Sequence, residues 1–335
     1  MKPLLILSLI ALPLSSCRKA KQEHDKCLEG GEVPYCLKEG AVLLTSTCPR
    51  VRNLYKAFQY FKKACALDSR EGCNELGVMS RKGLGLKADG KKALIYFKKA
   101  CHESYPDGCF NLGTTYISGM LGTKRYDEGG AAFKKACDNN MITGCHALGL
   151  LYKEGLGVVR NQEKAVTYFK KSCEAKVWEG CFFLGYHHQF GFGVKKDRKA
   201  AFGYYKRACD KGYVPACVDV GLMHLSGGDG IEKSVNIAFT LFYRTCRAKN
   251  LLGCVNLGIL YIKGTGTTKN EKRAFELFMD SCNKGSGKGC FNLALMYEQG
   301  IYRKKDTEQA LKYYSSACEQ GDKEGCLKKE AMGNQ

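Results

Sequence analysis

The sequence has little proline and tryptophan, with six and one in 335 residues. It has no apolar run of about 18 residues, the shortest that spans a membrane as a helix. It also has no Cys-x-x-Cys motif, which excludes the commonest kind of structural zinc site. The 39 glycines do not recur at every third position, which excludes collagen. With 44% hydrophobic and 26% charged residues, a mainly helical globular protein is expected.

The N-terminus carries an export signal. One basic residue precedes an apolar run over residues 4–14, which predicts a signal peptide over residues 1–16. The segment Leu14-Ser15-Ser16-Cys17 resembles the lipobox of bacterial lipoproteins, so Cys17 is a candidate lipidation site and residues 17–26 a short linker. Ordinary cleavage near this point is the alternative. We expect an exported protein, secreted or periplasmic, attached to the outer membrane only if Cys17 carries a lipid.

The twenty cysteines show a fixed period. From Cys65 onward they form pairs eight residues apart, and the first members recur every 36 residues, with one interval of 37. A period of this length is typical of a repeat protein. The predicted disulfides are Cys65–Cys73, Cys101–Cys109, Cys137–Cys145, Cys173–Cys181, Cys209–Cys217, Cys246–Cys254, Cys282–Cys290 and Cys318–Cys326, with Cys27–Cys36 as a degenerate ninth pair.

The geometry of a disulfide constrains where each pair lies. Residues eight apart in one helix are about 12 Å apart, whereas bonded cysteines need Cα atoms within about 7 Å. The chain must therefore turn within each pair. We predict that each bond joins the end of one repeat's second helix to the start of the next repeat's first helix. Cys48 is left over, either free or bonded to Cys17 if that residue is neither lipidated nor removed.

Each repeat reads as two helices. Apolar residues recur on one helical face after the second cysteine of each pair, and glycine follows the last of them. These glycines are Gly83, Gly119, Gly155, Gly191, Gly227, Gly264 and Gly300. The next helix opens at a residue able to cap it, namely Asp89, Asn161, Asp197, Ser234, Asn270 and Asp306. The extra residue of the 37-residue interval falls at Gly228/Asp229, in a loop.

Two motifs resemble a known family. Residues 144–158 read Gly-Cys-x-x-Leu-Gly-x-Leu-Tyr-x-x-Gly-x-Gly-Val, and residues 92–101 read Lys-Ala-x-x-Tyr-Phe-Lys-Lys-Ala-Cys. This frame resembles the Sel1-like repeat, a relative of the tetratricopeptide repeat. With a disulfide in every repeat, the chain is similar to the Helicobacter cysteine-rich protein family. The resemblance implies an all-α, right-handed α/α superhelix of eight to nine repeats over residues 27–335, with a concave binding face.

The resemblance also implies secretion, host interaction and, in some members, penicillin binding with weak β-lactamase activity. The residues offer little support for an enzyme. Ser281 and Lys284 fit the Ser-x-x-Lys pattern of serine β-lactamases, but the companion motifs are absent and Cys282 between them belongs to a predicted disulfide. His188 and His224 occupy a position that holds tyrosine in other repeats, so they are expected to pack as tyrosines do. We predict no catalytic residue, no metal site and no cofactor.

A binding scaffold is the favoured hypothesis. Asn111, Asn256 and Asn292 each follow the second cysteine of a pair by two residues, on the first helix. In tetratricopeptide-type arrays such residues line the concave groove, where an amide can donate to and accept from a peptide backbone. The alternative is that these amides are simply solvated.

The expected partner is a peptide or protein of the host or of the cell envelope, bound by a monomer. Paired basic residues near the ends of the second helices form a basic stripe, which either keeps the chain soluble or attracts acidic surfaces. These pairs are Lys62-Lys63, Lys98-Lys99, Lys134-Lys135, Lys170-Lys171 and Lys206-Arg207. A formal net charge of +20 agrees with either interpretation. An exported protein without an aromatic and basic nucleic-acid motif is not expected to bind nucleic acid.

Overall fold

The computed structural model describes Cys27 and residues 32–46, 52–102 and 104–333. The predicted signal peptide over residues 1–16, the candidate lipidation site Cys17, the linker to residue 26 and the orphan Cys48 lie outside the described residues. No helix in the described part of the chain is long and apolar enough to cross a membrane.

The described residues form seventeen helices joined by turns and short loops, which confirms the all-α fold expected from the sequence. The described residues divide into two compact units, unit 1 up to Ala175 and unit 2 from Lys176 onward. Unit 1 contains α1 Val33–Thr45, α2 Leu54–Ala66, α3 Arg70–Lys82, α4 Gly90–His102, α5 Pro106–Ile117, α6 Tyr126–Asp138, α7 Ile142–Glu154 and α8 Gln162–Glu174. Unit 2 contains α9 Trp178–Phe190, α10 Arg198–Asp210, α11 Val214–Ser226, α12 Val235–Arg247, α13 Leu251–Lys263, α14 Glu271–Asn283, α15 Gly287–Gln299, α16 Thr307–Glu319 and α17 Lys323–Gly333.

The first sixteen helices form eight pairs; we call the first helix of each pair the A helix and the second the B helix, and α17 is an A helix that follows the last pair. The A helices are the odd-numbered ones and the B helices the even-numbered ones. All six predicted capping residues accept a hydrogen bond from a backbone N–H of the first turn of a B helix. For example, Asp306 Oδ1 lies 2.9 Å from the backbone N of Gln309. The capping prediction is therefore confirmed.

Glycine ends most A helices, as expected. Gly83, Gly155, Gly191, Gly264 and Gly300 adopt the left-handed conformation that an L side chain disfavours. Two positions differ from the prediction. α5 ends one residue earlier, with Ser118 as its C-cap, and Gly227 has φ 63° and ψ −166°. Gly227 opens the loop that carries the extra residue, where Gly228 and Ile231 pair and Arg198 Nη1 donates to the Gly227 carbonyl at 2.6 Å.

Most disulfides connect the end of a B helix to the start of the next A helix, whereas Cys27–Cys36 joins a residue ahead of α1 to α1 itself. The Cα atoms of bonded residues lie 4.4 to 5.1 Å apart. The bonds are Cys27–Cys36, Cys65–Cys73, Cys101–Cys109, Cys137–Cys145, Cys209–Cys217, Cys246–Cys254, Cys282–Cys290 and Cys318–Cys326. Cys173 and Cys181 are also disulfide-bonded. Because each bond closes a loop of about eight residues, it stabilises the fold by about 2–3 kcal/mol in the entropic account.

In most repeats the core is a ring from the B helix against a glycine on the A helix; in the repeat of α15 and α16 the glycine is replaced by Ala294, which packs with Tyr314. Phe97 is fully buried, and a Cβ added to Gly77 would lie 2.4 Å from its Cε1 atom. Gly258 stands in the same relation to Phe278, at 2.5 Å. Burying such a ring stabilises the fold by about 1.5–3 kcal/mol, and at Gly77 and Gly258 a Cβ would collide with the ring.

Candidate binding site

Some A helices of neighbouring repeats contact each other directly. In unit 1, α3 contacts α5, and in unit 2, α13 contacts α15 and α15 contacts α17. Among the described residues, no B helix contacts the next B helix to the same extent. At these three places the A helices of neighbouring repeats are therefore closer together than the B helices. We call the solvent-facing surface of the A helices the A face of each unit; it carries the three asparagines predicted to bind a peptide.

Asn111, in unit 1, already has partners for both ends of its amide. Its Oδ1 accepts a hydrogen bond from Arg81 Nη2 at 3.0 Å, and its Nδ2 donates to Asn74 Oδ1 at 2.9 Å. The Arg81 guanidinium also lies over the Phe97 ring, 5.3 Å from its centroid. Asn111 therefore stabilises unit 1, and it could hold a peptide backbone only by giving up these bonds.

Asn256 and Asn292, in unit 2, have more freedom. The Nδ2 of each donates to the carbonyl four residues earlier, Leu252 at 2.9 Å and Lys288 at 2.7 Å. In the described residues, the Oδ1 of either amide accepts no hydrogen bond. The structure thus separates the three predicted asparagines into one engaged residue and two with an available acceptor.

The difference has a structural cause in three positions that meet between repeats. The first lies eight residues after the A-helix cysteine, the second is the buried ring of the following B helix, and the third lies two residues after the next A-helix cysteine. We call these the cross-repeat triad. Arg81, Phe97 and Asn111 form one such triad. The corresponding first residues before Asn256 and Asn292 are Leu225 and Ile262, which cannot hydrogen-bond, so both amides turn back to their own helices.

A second polar triad, Glu298, Tyr314 and Lys328, lies at the end of unit 2. Here the cation is at the third position, whereas in the first triad it is at the first position. Lys328 Nζ donates to both Glu298 carboxylate oxygens, at 2.9 and 3.1 Å, and lies 5.7 Å from the centroid of the Tyr314 ring. The Tyr314 hydroxyl donates to Glu298 Oε2 at 2.5 Å. Burial opposes ionisation of this carboxyl, but these two donors outweigh it, and the pKa of Glu298 is lowered. This triad is therefore internally satisfied.

A third polar triad, also in unit 2, has an acid but no cation. It consists of Gln189, Tyr205 and Asp219, and the Tyr205 hydroxyl donates to Gln189 Oε1 at 2.7 Å. In the described residues, the Asp219 side chain has no ion pair, and its only hydrogen bond is with its own backbone. Burial raises the pKa of Asp219 to about 6. Burial also raises the pKa of Tyr205, and the nearby Asp219 carboxylate and Tyr186 raise it further.

Apolar side chains surround these polar groups on the A face of unit 2. Phe190 on α9, Leu222 on α11 and Leu252 on α13 are 51%, 39% and 44% exposed. Phe190 packs against Tyr186, with ring centroids 4.8 Å apart. Between α13 and α15 lies a pocket of about 140 Å³, lined by Ile259, Ile262, Lys263, Phe278, Asn292, Leu295, Met296, Gln299 and Ile301. This face combines apolar surface with isolated hydrogen-bonding groups.

The A face of unit 1 is more polar. Asn74 is buried and donates to Glu75 Oε1 at 3.2 Å. Burial raises the pKa of Glu75, more than the Asn74 hydrogen bond lowers it, and nearby Asp107 and Glu71 raise it further. The hydrogen-bonding groups on the A face of unit 1 are thus largely satisfied by other residues of the chain.

Part of the basic stripe on the B helices serves the fold. Lys99 Nζ donates to the Cys65 carbonyl of the preceding repeat at 2.8 Å and pairs with Asp68 at 3.0 Å. Lys171 reaches the Cys137 carbonyl in the same way, at 3.4 Å. These cations neutralise the C-terminal ends of the preceding B helices. Lys98 and His102 line two neighbouring grooves of about 500 and 410 Å³ in unit 1.

The candidate enzyme residues do not form a catalytic arrangement. Ser281 is fully buried, and its Oγ has no hydrogen-bond partner. Lys284 Nζ lies on the surface, 2.7 Å from Asp280 Oδ2. A substrate cannot reach the Ser281 hydroxyl, and Lys284 is engaged by another residue.

The histidines pack as tyrosines do, which confirms that prediction. His188 stacks on Tyr204 with ring centroids 5.4 Å apart, as Tyr297 stacks on Tyr313 at 5.6 Å. His224 packs edge-on against Phe202, and its Nδ1 lies 2.8 Å from the Glu232 carbonyl oxygen. Within the described ranges, no three His, Cys, Asp or Glu side chains are placed to hold a metal ion.

Sequence reasoning missed the triads, because it considered the asparagines without their partners. Arg81, Lys153, Gln189 and Glu298 are polar at the position that holds Ile117, Leu225 and Ile262 in other repeats. The signal that identifies such a triad is a polar residue at this position together with a polar residue two positions after the next A-helix cysteine.

Comparisons with known proteins agree with this fold. The chain resembles the crystal structure of a Sel1 repeat protein from Oxalobacter formigenes, with a TM-score of 0.69 and 19% identity over 96% of this chain and 92% of that one. It also resembles a protective antigen of uropathogenic Escherichia coli that displays an SLR fold, with a TM-score of 0.50 and 18% identity over 96% and 89%. Cysteine rich protein B of Helicobacter pylori is 33% identical, over 39% of this chain and 93% of that one, with a TM-score of 0.32. No curated protein sequence matches.

The Sel1 repeat family matches the chain in seven segments, residues 35–69, 70–105, 142–177, 178–213, 214–250, 251–286 and 287–322. Residues 106–141 are not matched, although α5 and α6 form the same helix pair there. In this repeat, Gly129 stands where the other B helices have alanine, which departs from the motif. Since the seven segments make up more than half of the residues, the chain belongs to the Sel1 repeat family.

Proposed function

We propose that this protein is an exported scaffold that binds a peptide or an extended protein segment through the A face of unit 2. Repeats of this class mediate protein–protein interaction. The observation that carries the proposal is the available Oδ1 of Asn256 and Asn292, set among exposed apolar side chains. A peptide N–H can donate to each amide oxygen, while apolar side chains of the ligand cover Leu222 and Leu252.

The disulfides support the exported location. They indicate a compartment outside the cytoplasm, because cytosolic thiols are kept reduced. The signal peptide over residues 1–16 and the lipobox-like segment ending at Cys17 agree with export, and they favour a role in host interaction or at the cell envelope. The partner is accordingly a host or envelope protein, bound by a monomer.

The test uses peptides selected from a displayed random library on the immobilised, oxidised protein. We expect the Asn256→Ala, Asn292→Ala double variant to bind the selected peptides at least tenfold more weakly, measured by fluorescence anisotropy. Asn236→Ala, an exposed residue on the B helix α12, is the matched control and should leave affinity unchanged. Equal affinities for the double variant and the unmodified protein would contradict the proposal.

No observation on the described residues favours the alternative activity, β-lactam hydrolysis. Its one sequence candidate, Ser281, is closed to substrate. We therefore propose binding alone.

A further inference from the structure

The cross-repeat triad of unit 1 is closed by a side chain of the protein itself. The Arg81 guanidinium lies 5.3 Å from the centroid of the Phe97 ring and donates to Asn111 Oδ1 at 3.0 Å. The long Arg81 side chain therefore occupies the space between the other two members of the triad.

The triad of Ile262, Phe278 and Asn292 in unit 2 surrounds a pocket instead. These residues stand at the same three positions of the repeat, and all three line the pocket of about 140 Å³ between α13 and α15. Ile262 is shorter than arginine and has no polar group, and Asn292 Nδ2 donates to the Lys288 carbonyl of its own helix at 2.7 Å. The space that the chain itself occupies in unit 1 is thus open in this part of unit 2.

The other walls of this pocket are mainly apolar. Ile259, Leu295 and Ile301 are half-buried, and Met296 is almost fully buried. A cavity of about 150 Å³ lined by aliphatic and aromatic side chains holds a molecule the size of benzene. The pocket therefore matches one large apolar side chain, such as that of leucine, methionine or phenylalanine.

Two polar groups at the pocket indicate what lies beside that apolar side chain. Asn292 Oδ1 accepts no hydrogen bond in the described residues, so it can accept one from a peptide N–H. Lys263 is exposed and, within the part of the chain that the structure describes, pairs with no acidic residue. No acidic side chain is among the residues that line the pocket. Since the net charge of +20 also attracts acidic ligands at long range, the neighbouring ligand residue is an aspartate or a glutamate.

We propose that the pocket between α13 and α15 binds a large apolar side chain of the peptide ligand, next to an acidic residue that pairs with Lys263. This inference rests on the scaffold function proposed above and names the chemistry of its ligand. The hydrogen bond to Asn292 holds the peptide backbone, and the pocket selects the side chain. An exposed ion pair contributes little, so most of the selectivity comes from burial of the apolar side chain.

The experiment uses the peptides selected from the random library on the full oxidised protein. We expect them to share a leucine, methionine or phenylalanine that is next to an aspartate or glutamate, or one residue away from it. Replacing the apolar residue with alanine should weaken binding roughly tenfold or more, because the pocket is then left unfilled. Fluorescence anisotropy measures each affinity.

Ile262→Arg tests the pocket from the side of the protein. It supplies a guanidinium from the chain itself, as Arg81 does in unit 1, and should weaken the selected peptides roughly tenfold or more by occupying the pocket. Asn236→Arg adds the same charge at an exposed position of α12 and is the matched control, which should bind as the unmodified protein does. Urea denaturation checks that Ile262→Arg is folded, and the alanine-substituted peptide tests the pocket on the unmodified protein.

Lys263→Ala tests the ion pair. Replacing the acidic residue of the peptide with its amide should weaken binding to the unmodified protein about threefold, as expected of an exposed ion pair, and should not weaken binding to Lys263→Ala. Lys272→Ala, at an exposed position of α14, is the matched control and should respond as the unmodified protein does.

Three results would overturn the subsite while leaving the scaffold function standing. They are selected peptides without a large apolar residue beside an acid, an alanine-substituted peptide of unchanged affinity, and undiminished binding to the folded Ile262→Arg variant. An acid whose neutralisation weakens binding to Lys263→Ala as much as to the unmodified protein would contradict the ion pair. A library that yields no peptide dependent on Asn256 and Asn292 would overturn both the subsite and the scaffold function.

Discussion

The A faces of the two units use the same backbone positions for different purposes. In unit 1, Arg81 and Asn111 satisfy each other across two repeats. In unit 2, Asn256, Asn292 and Asp219 keep hydrogen-bonding or charged groups without a partner from a neighbouring repeat. Together with the Lys328–Glu298 pair at the end of unit 2, the comparison shows that the residue two positions after an A-helix cysteine stabilises the stack when a matching polar residue stands eight positions after the preceding A-helix cysteine. When it is not, the same position faces solvent and is available to a ligand.

The largest expected effect is on unit 1. Arg81→Met removes the cation above Phe97 and leaves Asn111 Oδ1 without its donor, so we expect a loss of about 2 kcal/mol in the free energy of unfolding. Urea denaturation measures the loss, and amide hydrogen exchange should locate it in α3 and α5. Lys82→Met, at the exposed neighbouring position, is the control and should change stability little. An equal effect of both variants would mean that the triad does not stabilise unit 1.

The asparagines should differ in the same sense. Asn111→Ala removes two side-chain bonds, so we expect it to cost about 1–2 kcal/mol. Asn256→Ala removes one exposed bond to its own helix and should cost less than about 0.5 kcal/mol. Thermal unfolding of the two variants under the same conditions checks this order. The reverse order would contradict the division between an engaged amide and an available one.

Asp219→Asn should stabilise the free protein in a pH-dependent way. Burial raises the pKa of Asp219 from 3.8 to about 6, so the folded state holds a proton that the unfolded state has released. The free energy of unfolding therefore falls as pH rises from about 4 to 6, and at pH 7 the whole cost of ionising the buried Asp219 carboxyl is present. After allowance for partial exposure, we expect a gain of about 1 kcal/mol at pH 7 and none at pH 4, measured by urea denaturation. A gain independent of pH would indicate another cause.

The smallest expected effect distinguishes two buried serines. Ser281 in unit 2 has an unpartnered Oγ, whereas Ser172 in unit 1 donates to the Phe169 carbonyl at 2.9 Å. We expect Ser281→Ala to be neutral or to stabilise by less than about 1 kcal/mol, and Ser172→Ala to destabilise by about as much. Any turnover of a chromogenic cephalosporin should be unchanged in Ser281→Ala. Loss of turnover in that variant would restore this serine as a catalytic candidate.

Most of the fold could be predicted because its causes are local. The cysteine period, the capping residues such as Asp306 and the glycine helix ends such as Gly155 each act within a few residues of the chain. The triads could not be predicted, because Arg81 and Asn111 are 30 residues apart and meet only after three helices have packed. The position of Asn111 along the helix identified it as a surface amide, but only the packed structure shows that Arg81 and Asn74 already bond to it. Predicting that the chain from residue 27 to its end forms a single domain likewise requires long-range information, and it stays a prediction.

The position of the disulfides has a consequence for cleavage by proteases. Each bond spans the exposed turn between two repeats, and basic residues in these turns, such as Lys211, Lys249 and Lys284, are accessible to a trypsin-like enzyme. Hydrolysis of one such peptide bond leaves the two fragments covalently joined through the cystine that flanks the cut. The nicked molecule keeps its full mass until a reductant is added. Backbone damage at the turns and separation of the repeats are therefore two distinct events.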